Sequence, residues 1–349
     1  MSSGVKSTAR RLSKRLLLIL ISSCLALFVA DAILRVSVVE SMVPEDDASF
    51  QRLIAAKWPN PVEKTKPDGV YRILGLADSF GEAGGPQNYH YTLSVGSDKR
   101  RLEVVNFSRG AYNLAEEIQI LRGHAAAYDP DLVLHGIFVG NDFEMPNGKL
   151  SSLRGITLRD RGWLASLLPP LSLSWQWVRN LWTLRKDRQS RIAEGGPDGA
   201  FSQAEYHRLE YARLQICRRS DDMTRALQRV YPLLDRLRAG VTEMKSNYAM
   251  VIHPDQFQVE VALQAALAKI AGKPLTKNYD LDQPQRVLMA YCKKNGLRCL
   301  DLLPIMRAKG ANGGLYRLRD SHYNEAGNRL AATEISKFLR AEMVPKGSQ

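Results

Sequence analysis

Five positions scattered along the chain are of the types that acyl transfer through a hydroxyl requires. Ser79 follows the apolar run Tyr71 to Leu76, Gly110 lies in Ser108-Arg109-Gly110-Ala111, and Asn141 lies in Gly140-Asn141-Asp142. Asp320 and His322 flank Ser321 just ahead of a final amphipathic segment. A serine hydroxyl is a weak nucleophile until a base removes its proton, and the imidazole of His322 is the base of choice. Asp320 would hold that imidazole in one tautomer and stabilise its cation. A developing oxyanion needs preorganised donors, which the backbone N–H groups of Ser79 and Gly110 and the Asn141 amide would supply. A side chain at position 110 would obstruct the acyl group. Each residue also has an ordinary reading: Ser79 and His322 at helix entrances, Gly110 and Asn141 in turns. His90, His124, His135, His207 and His253 have no comparable context and receive no role.

Residues so far apart meet only if one architecture brings them to a common edge. Tyr71 to Leu76, Leu102 to Phe107, Leu132 to Val139, Tyr248 to His253 and Arg298 to Leu303 read as strands. The near-continuous apolar run at 132–139 is the pattern of a strand covered on both faces. Helical periodicity over Leu114 to Tyr128, Gln283 to Asn295 and Glu325 to Leu339 supplies the crossovers of an α/β fold with a parallel sheet. Chemistry in such sheets gathers at the carboxyl ends of the strands, and Ser79, Gly110 and Asn141 each follow one.

Between Phe143 and Asn247 the strand–helix rhythm stops, so residues 143–246 are expected to form a helical insertion, a lid or cap on the core of 71–142 and 247–340. Within it, Leu164 to Arg188 carries Trp175, Trp177 and Trp182, which would line a cleft, rest on a membrane surface or pack between helices. Asp222 to Arg238 reads as one helix kinked at Pro232. A Gly/Pro break is expected at Gly195 to Gly199, and a glycine-rich run ends at Gly85. Residues 41–70, rich in proline and charge with a weak helical patch around Phe50 to Lys57, read as a linker and an approach to the core.

The amino terminus is different in kind. Lys6, Arg10, Arg11, Lys14 and Arg15 precede an apolar run from Leu16 that Asp31 interrupts. Leu16 to Leu34 as a helix is roughly 28 Å long, enough to span a bilayer. With basic residues before it and Glu40, Glu45, Asp46 and Asp47 after it, residues 1–40 are expected to be a signal anchor. The body would then sit on the periplasmic, extracytoplasmic side of the inner membrane. Cleavage at Ala30-Asp31-Ala32 and lipidation at Cys24 are the competing fates.

The formal net charge of the 349-residue chain is +13, of which residues 1–40 contribute +4 through six basic and two acidic side chains. A basic exported body suits an anionic membrane surface or an acidic polysaccharide, and nucleic acid is not an expected partner. Cys292 and Cys299 could pair across the turn between them, but free buried thiols are the expectation. No Cys/His spacing suits zinc, and neither metal nor other cofactor is expected.

Asp78-Ser79, Gly110, Gly140-Asn141-Asp142 and Asp320-x-His322 occur in the order of the four blocks of the SGNH/GDSL hydrolase superfamily, which the chain resembles over roughly 71–142 and 247–339. The resemblance implies a flavodoxin-like three-layer α/β/α sandwich and activity on acyl esters, with Ser79, Gly110, Asn141 and His322 as the name-giving residues. Two positions depart from the pattern. Ala77 stands where the family usually has glycine, tolerable if its φ is negative. Asp320 and His322 are separated by one residue where many members have two, as in membrane-linked members that transfer acetyl groups to polysaccharides. The resemblance implies a membrane-tethered serine esterase or O-acyltransferase on an envelope or exopolysaccharide, with envelope-biosynthesis proteins as partners. A lipid or thioester hydrolase, or a non-catalytic scaffold subunit of an envelope complex, are the other readings.

Overall fold

The computed structural model describes residues 2–37, 40–41, 43–55, 62–83, 88–95, 101–143, 149–153, 156–160, 168, 171–193 and 200–342. The runs at 84–87 and 194–199, where the glycine-rich run and the Gly/Pro break are expected, lie outside them.

Five strands form the central sheet: β1 (Val70–Leu76), β2 (Arg101–Asn106), β3 (Leu132–Phe138), β4 (Asn247–His253) and β5 (Arg298–Asp301). All neighbours are parallel, in the order β2-β1-β3-β4-β5. This is the flavodoxin-like order, whose topological switch point lies between β1 and β3. The register pairs Gly75 with Asn106 on one side and Leu134 on the other, so the chain leaves β1 and β2 side by side.

Every residue of β3 is buried because helices cover both faces. On one face Leu134 and Phe138 join Leu93 of α1 (Tyr89–Val95), and Ile335 and Leu339 of the C-terminal helix (Glu325–Glu342), in one apolar cluster. On the other face the His135 ring lies 2.9 Å from Glu117 of α2 (Leu114–Gly123). That helix crosses α4 (Tyr231–Glu243) so closely that a methyl group on Gly240 would stand 2.9 Å from Leu121 Cδ2. The result is a three-layer α/β/α sandwich. Alternating side chains of each strand serve opposite layers, which requires the apolar runs read from the sequence.

Several expectations change. The segment 41–70 is not a simple linker: the helix Asp47–Ala55 inserts Phe50, which is fully buried, edge-on to Phe107 and stacked on His124. Asp222 to Arg238 is not one kinked helix. Asp221–Leu227 and α4 are joined by a 3₁₀ turn at Gln228–Val230, and Pro232 sits in the first turn of α4, where its missing N–H costs nothing. Cys292 and Cys299 are bonded to each other rather than free, tying α5 (Gln283–Lys294) to β5.

The chain divides into two compact units, and the boundary cuts the expected insertion. Residues 190–349 belong with 44–146, carrying the sheet and also α3 (Gln203–Arg213). Residues 1–43 and 147–189 form the other unit. Where only helices were expected, this unit contains a hairpin, Lys149–Leu153 with Ile156–Asp160, extended by Glu40–Ser41. Its helix Ser2–Ser37 includes a segment, Ser13–Val36, long and apolar enough to cross a membrane. Asp31, which interrupts that apolar run, is fully buried. Its carboxylate accepts the backbone N–H groups of Leu173 and Ser174 and the Ser174 hydroxyl, capping the helix Leu173–Ala193.

Candidate functional site

The turn that carries Ser79, the candidate nucleophile, follows directly on β1. Asp78 caps the short helix Ser79–Glu82, its Oδ1 accepting the Phe80 N–H at 2.8 Å, and this lifts Ser79 onto the first helical position. Phe80 anchors the turn by stacking on Phe138 with centroids 4.1 Å apart. Ala77 keeps negative φ, as the alanine requires: the only described non-glycine residues with positive φ are Ala111, Asp129, Lys245, Arg319 and Ser321. Space for its methyl comes from Gly81 and Gly136, where an added Cβ would meet it at 2.9 and 3.0 Å.

The loop after β2 is pressed onto that turn. Arg109 N–H donates to the Ala77 carbonyl at 3.0 Å, and Ser108 packs so near Gly81 that a methyl group there would stand 2.1 Å from Ser108 Oγ. Gly110 is thereby held beside Ser79: an added Cβ would be 3.6 Å from Ser79 Cβ. The turn after β3 brings Asn141 to the same place, its Nδ2 donating to Asp78 Oδ2 at 2.9 Å. Asp78 is fully buried, and burial raises its pKa above the ordinary carboxylate value against the opposing pull of the Phe80 N–H and the Asn141 amide.

His322 arrives from the opposite end of the sequence. Its Nε2 lies 2.8 Å from Ser79 Oγ and its Nδ1 lies 2.9 Å from Asp320 Oδ1. A carboxylate only accepts, so Nδ1 carries the proton and Nε2 is left to receive the one on Ser79. The one-residue spacing closes because Ser321 adopts φ of 55°, in the left-handed region that non-glycine residues rarely visit, as does Arg319 at 52°. A bridge between Tyr316 and Tyr323, with Arg317 N–H donating to the His322 carbonyl, frames this loop. Ser79 and His322 both remain partly exposed, so the hydroxyl is reachable from solvent.

All five sequence-derived residues therefore meet at the carboxyl edge of the sheet. Four further residues escape sequence reasoning. Glu82 receives the Gly110 N–H on its carboxylate. Its only signal in the sequence is its position three residues after Ser79. Glu210 and Arg213 of α3, with Asp255 after β4, gather under the loop of His322. Their i, i+3 spacing on a polar helix looks like a surface ion pair, and nothing local reveals the burial of Glu210.

The sequence matches no protein-family model and no curated relative. Among solved structures it is similar to the acetyl xylan esterase AlAXEase, with a TM-score of 0.42 and 10% identity over 78% of this chain and 100% of that one. A lipase/acylhydrolase from Enterococcus faecalis matches with a TM-score of 0.40 and 10% identity over 79% of this chain and 99% of that one. The esterase EstA from Pseudoalteromonas sp. matches with a TM-score of 0.41 and 11% identity over 78% and 97%.

Proposed function

We propose that this chain is a serine ester hydrolase or O-acyltransferase of the SGNH/GDSL type, exported and membrane-tethered, acting on O-acetyl groups of an envelope or exopolysaccharide. The observation that carries this reading is the continuous relay Ser79 Oγ, His322 Nε2, His322 Nδ1, Asp320 Oδ1, with both contacts at hydrogen-bond length.

In the reaction, Ser79 Oγ attacks the ester carbonyl while His322 Nε2 takes its proton, and Asp320 balances the imidazolium. The oxyanion collects donors from the backbone N–H groups of Ser79 and Gly110 and from Asn141 Nδ2. It displaces Glu82 from Gly110 and competes with Asp78 for Asn141; each donor is worth about 3 kcal/mol of barrier. Collapse expels the sugar alkoxide, which receives the proton from His322 and leaves acyl-Ser79. Water then attacks in hydrolysis, or a second hydroxyl in transfer, again deprotonated by His322. Ser79 is restored, with acetate or a new ester as product.

Export is supported by the Ser13–Val36 helix behind a basic flank and by the Cys292–Cys299 bond, which belongs in an oxidising compartment. A second reading, hydrolysis of lipid or thioester acyl chains at the bilayer, is favoured by one observation. Trp175, Val178 and Trp182, an i, i+3, i+7 stripe on the helix that Asp31 caps, are exposed.

Acetate release from O-acetylated polysaccharides and turnover of p-nitrophenyl esters by the full chain in detergent test both. Acetyl substrates turned over by wild type but not by Ser79→Ala support the first reading, and a preference for long acyl chains supports the second. Turnover that persists in Ser79→Ala excludes both.

A further inference from the structure

The loop that delivers His322 is held in an unfavourable backbone shape, and the grip on it comes from a part of the chain outside the four sequence blocks. Arg319 and Ser321 both have left-handed φ, which the surroundings must impose. Each is held by the segment that opens and forms α3. Phe201 N–H donates to the Arg319 carbonyl at 3.0 Å. The Ser321 hydroxyl, 2% exposed, donates to Glu210 Oε1 at 2.7 Å and receives Arg213 Nη1–H at 2.7 Å. Arg213 Nη1 also donates to Glu210 Oε1 at 3.1 Å, closing a three-membered ring of hydrogen bonds.

The same cluster touches the other half of the site. Arg213 lies 3.7 Å from the carboxylate of Asp255, and a methyl group on Gly140, the neighbour of Asn141, would stand 2.5 Å from Asp255 Oδ2. The Arg213 guanidinium also sits 5.1 Å over the ring of Phe138, on which Phe80 of the nucleophile turn stacks. One cation is thus packed between the loop carrying His322, the turn carrying Asn141 and the aromatic support of Ser79.

We propose that Glu210 and Arg213 are positioning residues for His322: acting through the Ser321 hydroxyl, they fix the Asp320-Ser321-His322 loop so that Nε2 meets Ser79 Oγ. The inference rests on the serine-hydrolase reading above. It assigns a task to α3 and explains how a one-residue Asp–His spacing is sustained. A displacement of about 1 Å at a reacting group can cost on the order of 100-fold in rate, so the grip is worth measuring through turnover.

The test uses the full chain in detergent, following p-nitrophenyl acetate turnover and the rate of Ser79 modification by a fluorophosphonate. Ser321→Ala keeps Arg213 paired with Glu210 and Asp255, so the variant is expected to fold with the wild-type circular dichroism spectrum. Its kcat and modification rate should fall about 10-fold, as for outer partners of a reacting group, with KM unchanged. Arg213→Lys, a single point charge in place of a planar fork, should fall by a similar factor. The double variant should lose little more than the worse single one, because both act through the same hydroxyl. Unchanged modification and kcat in Ser321→Ala, or losses that multiply in the double variant, would overturn the positioning role while leaving the serine-hydrolase reading intact. A wild type that the fluorophosphonate does not modify would overturn both.

Discussion

The site has two halves that are held in different ways. The half with Ser79, Gly110 and Asn141 is set chiefly by close backbone packing: three adjacent parallel strands end together, Gly81, Gly110 and Gly140 let the exits touch, and the Asp78 carboxylate ties two of them. The half with Asp320 and His322 is set by side chains, because its loop holds two left-handed non-glycine residues and leans on Glu210 and Arg213. The contrast teaches that the first half should be brittle to added atoms and the second to lost hydrogen bonds.

The largest effects remove the reacting groups themselves. Ser79→Ala and His322→Ala should each lower kcat/KM for an acetyl ester by roughly 10⁴-fold or more, and the double variant by no more than the worse single one, since the two act as a unit. Losses that multiply would mean the halves do not work together.

Within the first half, Asn141→Ala should cost about 100- to 1000-fold in kcat, the usual toll for one oxyanion donor. That loss should exceed the one for Ser321→Ala, since Asn141 would touch the reacting atoms and Ser321 would act through His322. A reversed order would erase the distinction between the halves.

Gly81→Ala probes brittleness directly. The new methyl would meet Ser108 Oγ at 2.1 Å and Ser108 Cβ at 2.4 Å, and overpacking of this kind costs about 1–3 kcal/mol, readable as a lowered denaturation midpoint. A midpoint equal to wild type would mean that the β2 exit loop is not pressed onto the nucleophile turn.

The smallest expected effect lies in the second half and shows as pH dependence. Burial, then the neighbouring Asp255 carboxylate, push the Glu210 carboxyl well above its ordinary pKa, so the folded chain keeps a proton that the unfolded chain has released. Stability should therefore fall as pH rises above the ordinary carboxylate value toward the folded one, and Glu210→Gln should flatten that slope in thermal denaturation. An unchanged slope would mean that Glu210 is charged in the folded state.

Much of the first half is legible in the sequence because its signals are local. An apolar run ending in Asp-Ser, a glycine after LEVVNF and Gly-Asn-Asp after a buried strand each announce a strand exit, and parallel topology does the rest. His322 and Asp320 are legible as residue types, but the grip on their loop is not. Glu210 and Ser321 are 111 residues apart, and a Glu-x-x-Arg helix face looks the same whether solvated or buried. Distance in sequence hides other features too. Asp31 reads as a flaw in an apolar run until its partners, 142 and 143 residues on, show it to be a helix cap. Phe50 reads as the start of a weak helical patch in a linker, but nothing local shows that its ring fills a slot between Phe107 and His124. The antiparallel pair Lys149–Leu153 and Ile156–Asp160 is hidden by Ser151-Ser152, which breaks the apolar alternation that a half-buried strand needs.

The most direct test of the central claim is to treat the full chain with a fluorophosphonate and map the modified residue by peptide mass spectrometry, in wild type and in His322→Ala. One adduct is expected, on Ser79, formed at least 100-fold more slowly without the imidazole. An adduct on another residue, or on Ser79 at the same rate in both proteins, would contradict that claim.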